Sequence, residues 1–130
     1  MRTGLLVLAL GLAMAAGAAQ AEGISGVFQT QANDKGDVGM VRFAPCGDRW
    51  CGTLVKSFNG KGQEVASPNR GRTIVGNMVD EGGGKFSGGT VWDPGADKTY
   101  TSKMVLNGDV LKVSGCVSII CRSQTWRRVR

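Results

Sequence analysis

Histidine is missing from all 130 residues of the chain. Its absence removes the commonest general base, the usual zinc ligand and any Ser-His-Asp triad. Long amphipathic helical periodicity is also missing beyond residue 21, which excludes helical bundles and strand–helix–strand nucleotide folds. Tyrosine occurs once and tryptophan three times, so each aromatic side chain outside a core is individually worth placing. Acidic residues are outnumbered by basic ones, 10 against 16. A balance of this sign favours anionic neighbours, although most of it belongs to an ordinary solvated surface.

Only one apolar run is long enough to notice, and it stands at the front: "MRTGLLVLALGLAMAAGAAQA". Arg2 precedes an apolar stretch from Leu5 to about Ala16, and Ala19-Gln20-Ala21 fits the small-x-small rule of signal peptidase. Residues 1–21 therefore read as a cleaved signal peptide and 22–130 as a single domain. The stretch is shorter than the ~20 residues that span a bilayer, and no transmembrane segment is expected. The expected location is outside the cytoplasm, in a periplasm or the extracellular medium.

Short runs of β-branched and aromatic residues follow, divided by turn chemistry: "NDKGD", "CGDRWC", "NGKGQEVASPNRG", "DEGGG", "DPGADK", Asn107-Gly108 and "CVSIIC". These turns separate about eight strands, and connections so short force neighbours to run antiparallel. Closure into a small up-and-down barrel removes the exposed edges. The alternation fits a wall with one wet face: Tyr100, Ser102 and Met104 share one side, and Leu111 and Val113 oppose Lys112 and Ser114. Gly88-Gly89 in mid-strand marks a bulge or sharp bend. The predicted fold is all-β, a single antiparallel barrel.

The four cysteines, Cys46, Cys51, Cys116 and Cys121, form two C-x4-C pairs. Zinc and dithiol redox chemistry are the rivals to disulfides. An exported chain keeps its thiols paired, and redox sites use C-x-x-C at a helix start. Bridges of Cys46 to Cys51 and of Cys116 to Cys121 would each close a six-residue loop, worth roughly 2 kcal/mol. A bridge from Cys46 to Cys116 would be worth roughly 4 kcal/mol. The short pairs are preferred because residues flanking a tight hairpin turn already face each other at bonding distance.

Taken in order, Gly26-Val27-Phe28, "PCGDRWCG", "GGTVWDP", "KTYTSKMVL", "LKVSGC" and "SQTWRRV" resemble the bacterial exported family known as domain-of-unknown-function family 2147. Phe28 stands where that family usually has Trp, and Asp97 where it often has Gly. The resemblance implies a calycin barrel similar to lipocalins, with no assigned reaction and no cofactor. It further implies that Phe28 on the first strand meets Trp126, Arg127 or Arg128 on the last, closing the barrel. A cation–π contact there would be worth ~0.5–2 kcal/mol.

Acid–base chemistry is not expected. Asp34/Asp37, Asp80/Glu81 and Asp93/Asp97 all fall in turns, where carboxylates bind nearby backbone N–H groups. "DPGADK" lacks the ligand density of a calcium loop, and no metal site is expected. The side chains placed as ligand-binding candidates are Trp50, Trp92 and Tyr100, at strand ends where a barrel mouth would lie. The expected function is non-enzymatic binding of a small lipophilic or envelope-derived ligand. The alternatives are docking of the Arg-rich C-terminus on an anionic envelope polymer or protein partner, and inhibition of an envelope hydrolase. A nucleic-acid partner is not expected.

Overall fold

The computed structural model describes residues 23–130, so the expected leader lies outside the described residues. Nine strands form: β1 (Gly26–Gln29), β2 (Val38–Cys46), β3 (Arg49–Phe58), β4 (Glu64–Val65), β5 (Thr73–Gly82), β6 (Lys85–Asp93), β7 (Lys98–Asn107), β8 (Val110–Val117) and β9 (Ile120–Val129). Eight of them close a ring in which each strand pairs antiparallel with its neighbour, and β1 joins β9. The ninth, β4, is a two-residue strand inside the long loop; it pairs with Ser57 and Phe58 at the end of β3. Closure satisfies both edges of every ring strand, which an open meander cannot do.

Turn residues set the strand ends. Gly47-Asp48, Gly83-Gly84 and Gly108-Asp109 make two-residue turns, and the first glycine of each has positive φ, as tight hairpins require. The β7–β8 turn thus sits one residue beyond the expected Asn107-Gly108, because Asn107 still pairs with Val110. At "CGDRWC" the turn is shorter than expected: Pro45 pairs with Trp50 and Cys46 with Arg49, which puts Trp50 on β3 and not in a loop. Gly88 has φ 77°, and the β6–β7 register slips between Phe86 and Gly89. A Cβ on Gly89 would overlap the Gly76 carbonyl oxygen across the sheet, so the bend at this point needs glycine.

The strands of an up-and-down barrel alternate direction, so successive turns fall at opposite ends. Turns β2–β3, β5–β6 and β7–β8 share one end. Connections β1–β2, β3–β5, β6–β7 and β8–β9 share the other. Phe28, Phe43, Met78, Phe86, Met104 and Leu111 fill the first end as an apolar plug. The outward wall carries Thr101, Lys103, Lys112, Thr125 and Arg127, all exposed, and not the apolar band of a lipid-facing barrel. No helix of the described residues is long and apolar enough to cross a membrane.

Chain start and chain end meet at a seam of three residue pairs, Val27–Val129, Phe28–Arg128 and Gln29–Arg127. The Arg128 guanidinium lies 4.7 Å from the centroid of the Phe28 ring and also donates to the Ser25 carbonyl. Its Nε donates to Asp109 at 2.9 Å, and Arg130 donates to the same carboxylate oxygen. Trp126 joins through Phe43, whose ring touches Phe28 edge-on at 5.6 Å and lies 6.4 Å from the indole. Arg127 takes no part in this cluster: its backbone pairs with Gln29, but alternation turns its side chain to solvent.

Hydrogen bonding from Arg130, more than from Arg128, holds the Asp109 carboxyl below the usual carboxylate range. A folded pKa below the unfolded one means that the contact stabilises above the unfolded value of ~3.9 and is lost as pH falls through the folded value. Asp109→Asn should therefore melt lower than wild type at neutral pH, by a small amount because the pair is solvent-exposed. The gap should narrow as pH drops below ~4. Thermal melts of both proteins across that range check this; a gap that does not change with pH would show that the carboxylate charge contributes nothing.

Candidate functional site

The end opposite the apolar plug opens into a cavity of about 940 Å³. Its floor is apolar: Val41, Leu54, Ile74, Val113 and Trp126 are each buried and close off the barrel interior. Above them Val91, Tyr100, Gly115, Gln124 and Arg122 form the wall, and Phe58, Val65, Ala66–Asn69, Val117 and Ile120 the rim. Period-two alternation explains the wall of β9, since Arg122, Gln124 and Trp126 point inward from alternate positions. Gly39 and Gly115 line the same space without side chains. A Cβ at Gly115 would sit 3.2 Å from Val91 and 3.3 Å from Tyr100, so its bareness keeps the mouth wide.

The ligand-binding candidates divide between the two ends. Tyr100, half-buried, projects into the cavity from the start of β7, paired with Val91 across the ladder. Trp92 reaches the rim, but its ring is already engaged: Arg72 stacks over it at 3.8 Å and its Nε1 donates to Asp97 at 3.0 Å. Trp50 does not line the cavity. It stands beside the β2–β3 turn at the plugged end, packed on the core, where a Cβ on Gly23 would overlap its indole. Expecting these three aromatics at one mouth is corrected by the alternation of turns, which separates Trp50 from Trp92 and Tyr100 by the length of the barrel.

The cysteines form two disulfides, also at opposite ends. Cys46–Cys51 clasps the β2–β3 hairpin diagonally, with Cα atoms 5.8 Å apart, and Cys116–Cys121 joins directly paired residues at 4.0 Å. No free cysteine exists among the described residues. Both bridges lie outside the cavity lining, so they brace hairpins.

Two of the turn carboxylates accept from backbone N–H groups. Asp80 accepts from the backbone N–H of Gly23 and Gly82, and Asp93 from those of Gly95 and Ala96. Among the described residues no group of three or more His, Cys, Asp or Glu could hold a metal ion. The cavity lining combines the apolar floor with polar groups nearer the rim, among them Asp37, Asp93, Tyr100 and Arg122. Of the floor, Trp126 was expected at the barrel closure and Val113 in the alternation of its strand. Val41, Leu54 and Ile74 were not singled out from the sequence, nor was Arg122 as a cavity residue; the signal for Arg122 was the inward alternation of β9.

Residues 26–128 match the family described as "Uncharacterized protein conserved in bacteria (DUF2147)". No curated protein matches the chain. Among solved structures, the fold is similar to that of HP1028 from Helicobacter pylori, a protein described as belonging to the lipocalin family. The TM-score is 0.65 at 17% sequence identity, over 82% of each chain. At that identity the likeness shows the barrel and nothing about its contents.

Proposed function

Because the chain belongs to the conserved bacterial family DUF2147, and because its barrel resembles that of a lipocalin, we propose that it is a non-enzymatic carrier. It takes one small lipophilic or amphipathic molecule into the barrel mouth. A single observation carries this reading: a cavity of about 940 Å³ with an apolar floor and a polar upper wall, within the ~300–1,000 Å³ of small-molecule sites. The apolar end of the ligand rests on Leu54, Ile74, Val113 and Trp126. Its polar end stays near Tyr100, Gln124 and Arg122, where hydrogen-bond donors are at hand.

Two disulfides with no free thiol among the described residues support an extracytoplasmic location, since such bonds persist in oxidising compartments. The lack of histidine and the use of carboxylates as turn acceptors support a role without catalysis. Docking through the C-terminal arginines is less favoured, because Arg128 and Arg130 both bind Asp109 and only Arg127 of the three stands exposed without an ion pair.

Titration with the apolar fluorophore N-phenylnaphthylamine tests the carrier reading. Saturable, blue-shifted emission with one probe per chain is the expected result. No enhancement by protein of native circular dichroism would overturn it.

A further inference from the structure

The β8–β9 hairpin is built against the rule that the other tight turns follow. Gly47, Gly83 and Gly108 open those turns with positive φ, whereas Ser118 holds the same place at φ 55°. A side chain in that conformation is unfavourable, and hairpin tips normally take Gly, Asn or Asp. Here the tip reads Val117-Ser118-Ile119-Ile120, and the disulfide beneath it, Cys116–Cys121, fixes a register that turn chemistry leaves weak. Ile119 is 89% exposed, Ile120 67% and Val117 63%, with Val65 on β4 at the same end also exposed. The exposed aliphatics elsewhere, Val105 and Val129, stand singly on the outer wall and are ordinary.

We propose that the Val117–Ile120 tip inserts into the surface of a lipid bilayer bearing anionic headgroups and holds the barrel mouth against it. Size argues against a protein partner. Large aromatic side chains bury only ~150–250 Å² each, so three smaller aliphatic ones fall short of the ~800 Å² per partner of a stable complex. A bilayer needs no matching surface. From the disulfide to Ile119 the chain advances three residues, at most ~10 Å, which matches the ~5–10 Å to which interfacial elements sink.

Charge agrees. Among the described residues every ion pair converges on Asp109 at the plugged end. The mouth end also carries Asp34, Asp37, Glu64, Asp93 and Asp97, but basic residues outnumber them there, and Lys56, Lys61, Arg70 and Arg122 have no carboxylate within 4.0 Å. Apolar insertion and cationic attraction together are the two signals that interfacial binding requires. Val117 and Ile120 also form part of the cavity rim, so the membrane and the cavity meet at one place. The docking goes beyond the carrier reading and stands whether or not the cavity is occupied.

Co-flotation with vesicles tests it, using wild type and variants shown by intact mass to share one N-terminus. Wild type should float with vesicles of mixed phosphatidylglycerol and phosphatidylethanolamine, less with phosphatidylcholine, and less as salt rises. Ile119→Ser and Ile120→Ser should each lower partitioning about tenfold with unchanged melting temperature, while Val105→Ser on the outer wall leaves partitioning intact. Wild type that stays unbound, tip variants that float equally well, or an equal loss in Val105→Ser would each overturn the proposal. A concentration-dependent dimer in sedimentation that Ile119→Ser abolishes would overturn it too, by giving the tip to a second copy of the chain. N-phenylnaphthylamine binding, read without vesicles, separates failure of docking from failure of the carrier reading.

Discussion

Phe28→Ala is expected to lower the melting temperature by on the order of 10–20 °C. The side chain is wholly buried, and removing a buried Phe costs ~3–5 kcal/mol, because the lost transfer energy and the cavity left behind add. In a domain of this size each kcal/mol moves the midpoint by a few degrees. Position makes the site more sensitive than burial alone. The ring lies between the Arg128 guanidinium at 4.7 Å and the edge of Phe43 at 5.6 Å. It sits in the middle of the three-pair seam that turns a sheet into a barrel. Alanine there removes the surface on which chain end packs against chain start. Thermal unfolding followed by circular dichroism measures the effect. A fall of only a degree or two would show that the backbone ladder closes the barrel unaided.

Gly115→Leu is expected to weaken binding of N-phenylnaphthylamine by about a hundredfold, equivalent to ~2.7 kcal/mol, while leaving the fold intact. Gly115 is not among the residues with positive φ, so a side chain there meets no backbone strain. Its Cβ would press on Val91 at 3.2 Å and Tyr100 at 3.3 Å, and the rest of the leucine has only the cavity to enter. The substitution fills the space above Val113, where the proposed ligand rests. Probe titration of both proteins measures the loss, and the melting curve reports the fold. Equal affinity in the two would place the probe elsewhere on the protein.

The barrel was legible because its turns are. Gly83-Gly84, Gly108 and the "DPGADK" loop mark strand ends through conformations that few other residues adopt, and Tyr100, Ser102 and Met104 alternate with Thr101 and Lys103 as a half-buried strand must. Strand β4 was not legible: Glu64 and Val65 pair with β3 only because a long loop folds back, and two residues carry no period. Trp50 shows a different limit. The bracketing cysteines suggested a four-residue turn, but tight packing on the core lets the strands run to Gly47-Asp48. The end of the barrel on which each aromatic sits was in the sequence all along. The turn beside Trp50 is second in chain order, and the one between Trp92 and Tyr100 is fifth, so parity alone puts them apart. The cavity floor was harder to see, since Leu54, Ile74 and Val113 read as core until it is known that the plug fills only one end.

The two disulfides each join residues five apart in sequence. A bridge of that span needs only its own hairpin, whatever the rest of the chain is doing. Neither reaches the β1–β9 seam, which joins the start of the domain to residues 127–129. Each bridge is thus a local constraint, whereas ring closure needs the final strand. A chain that ended before β9 could hold Cys46–Cys51, yet it would expose Phe28 and one unpaired edge of β1 to any neighbouring chain.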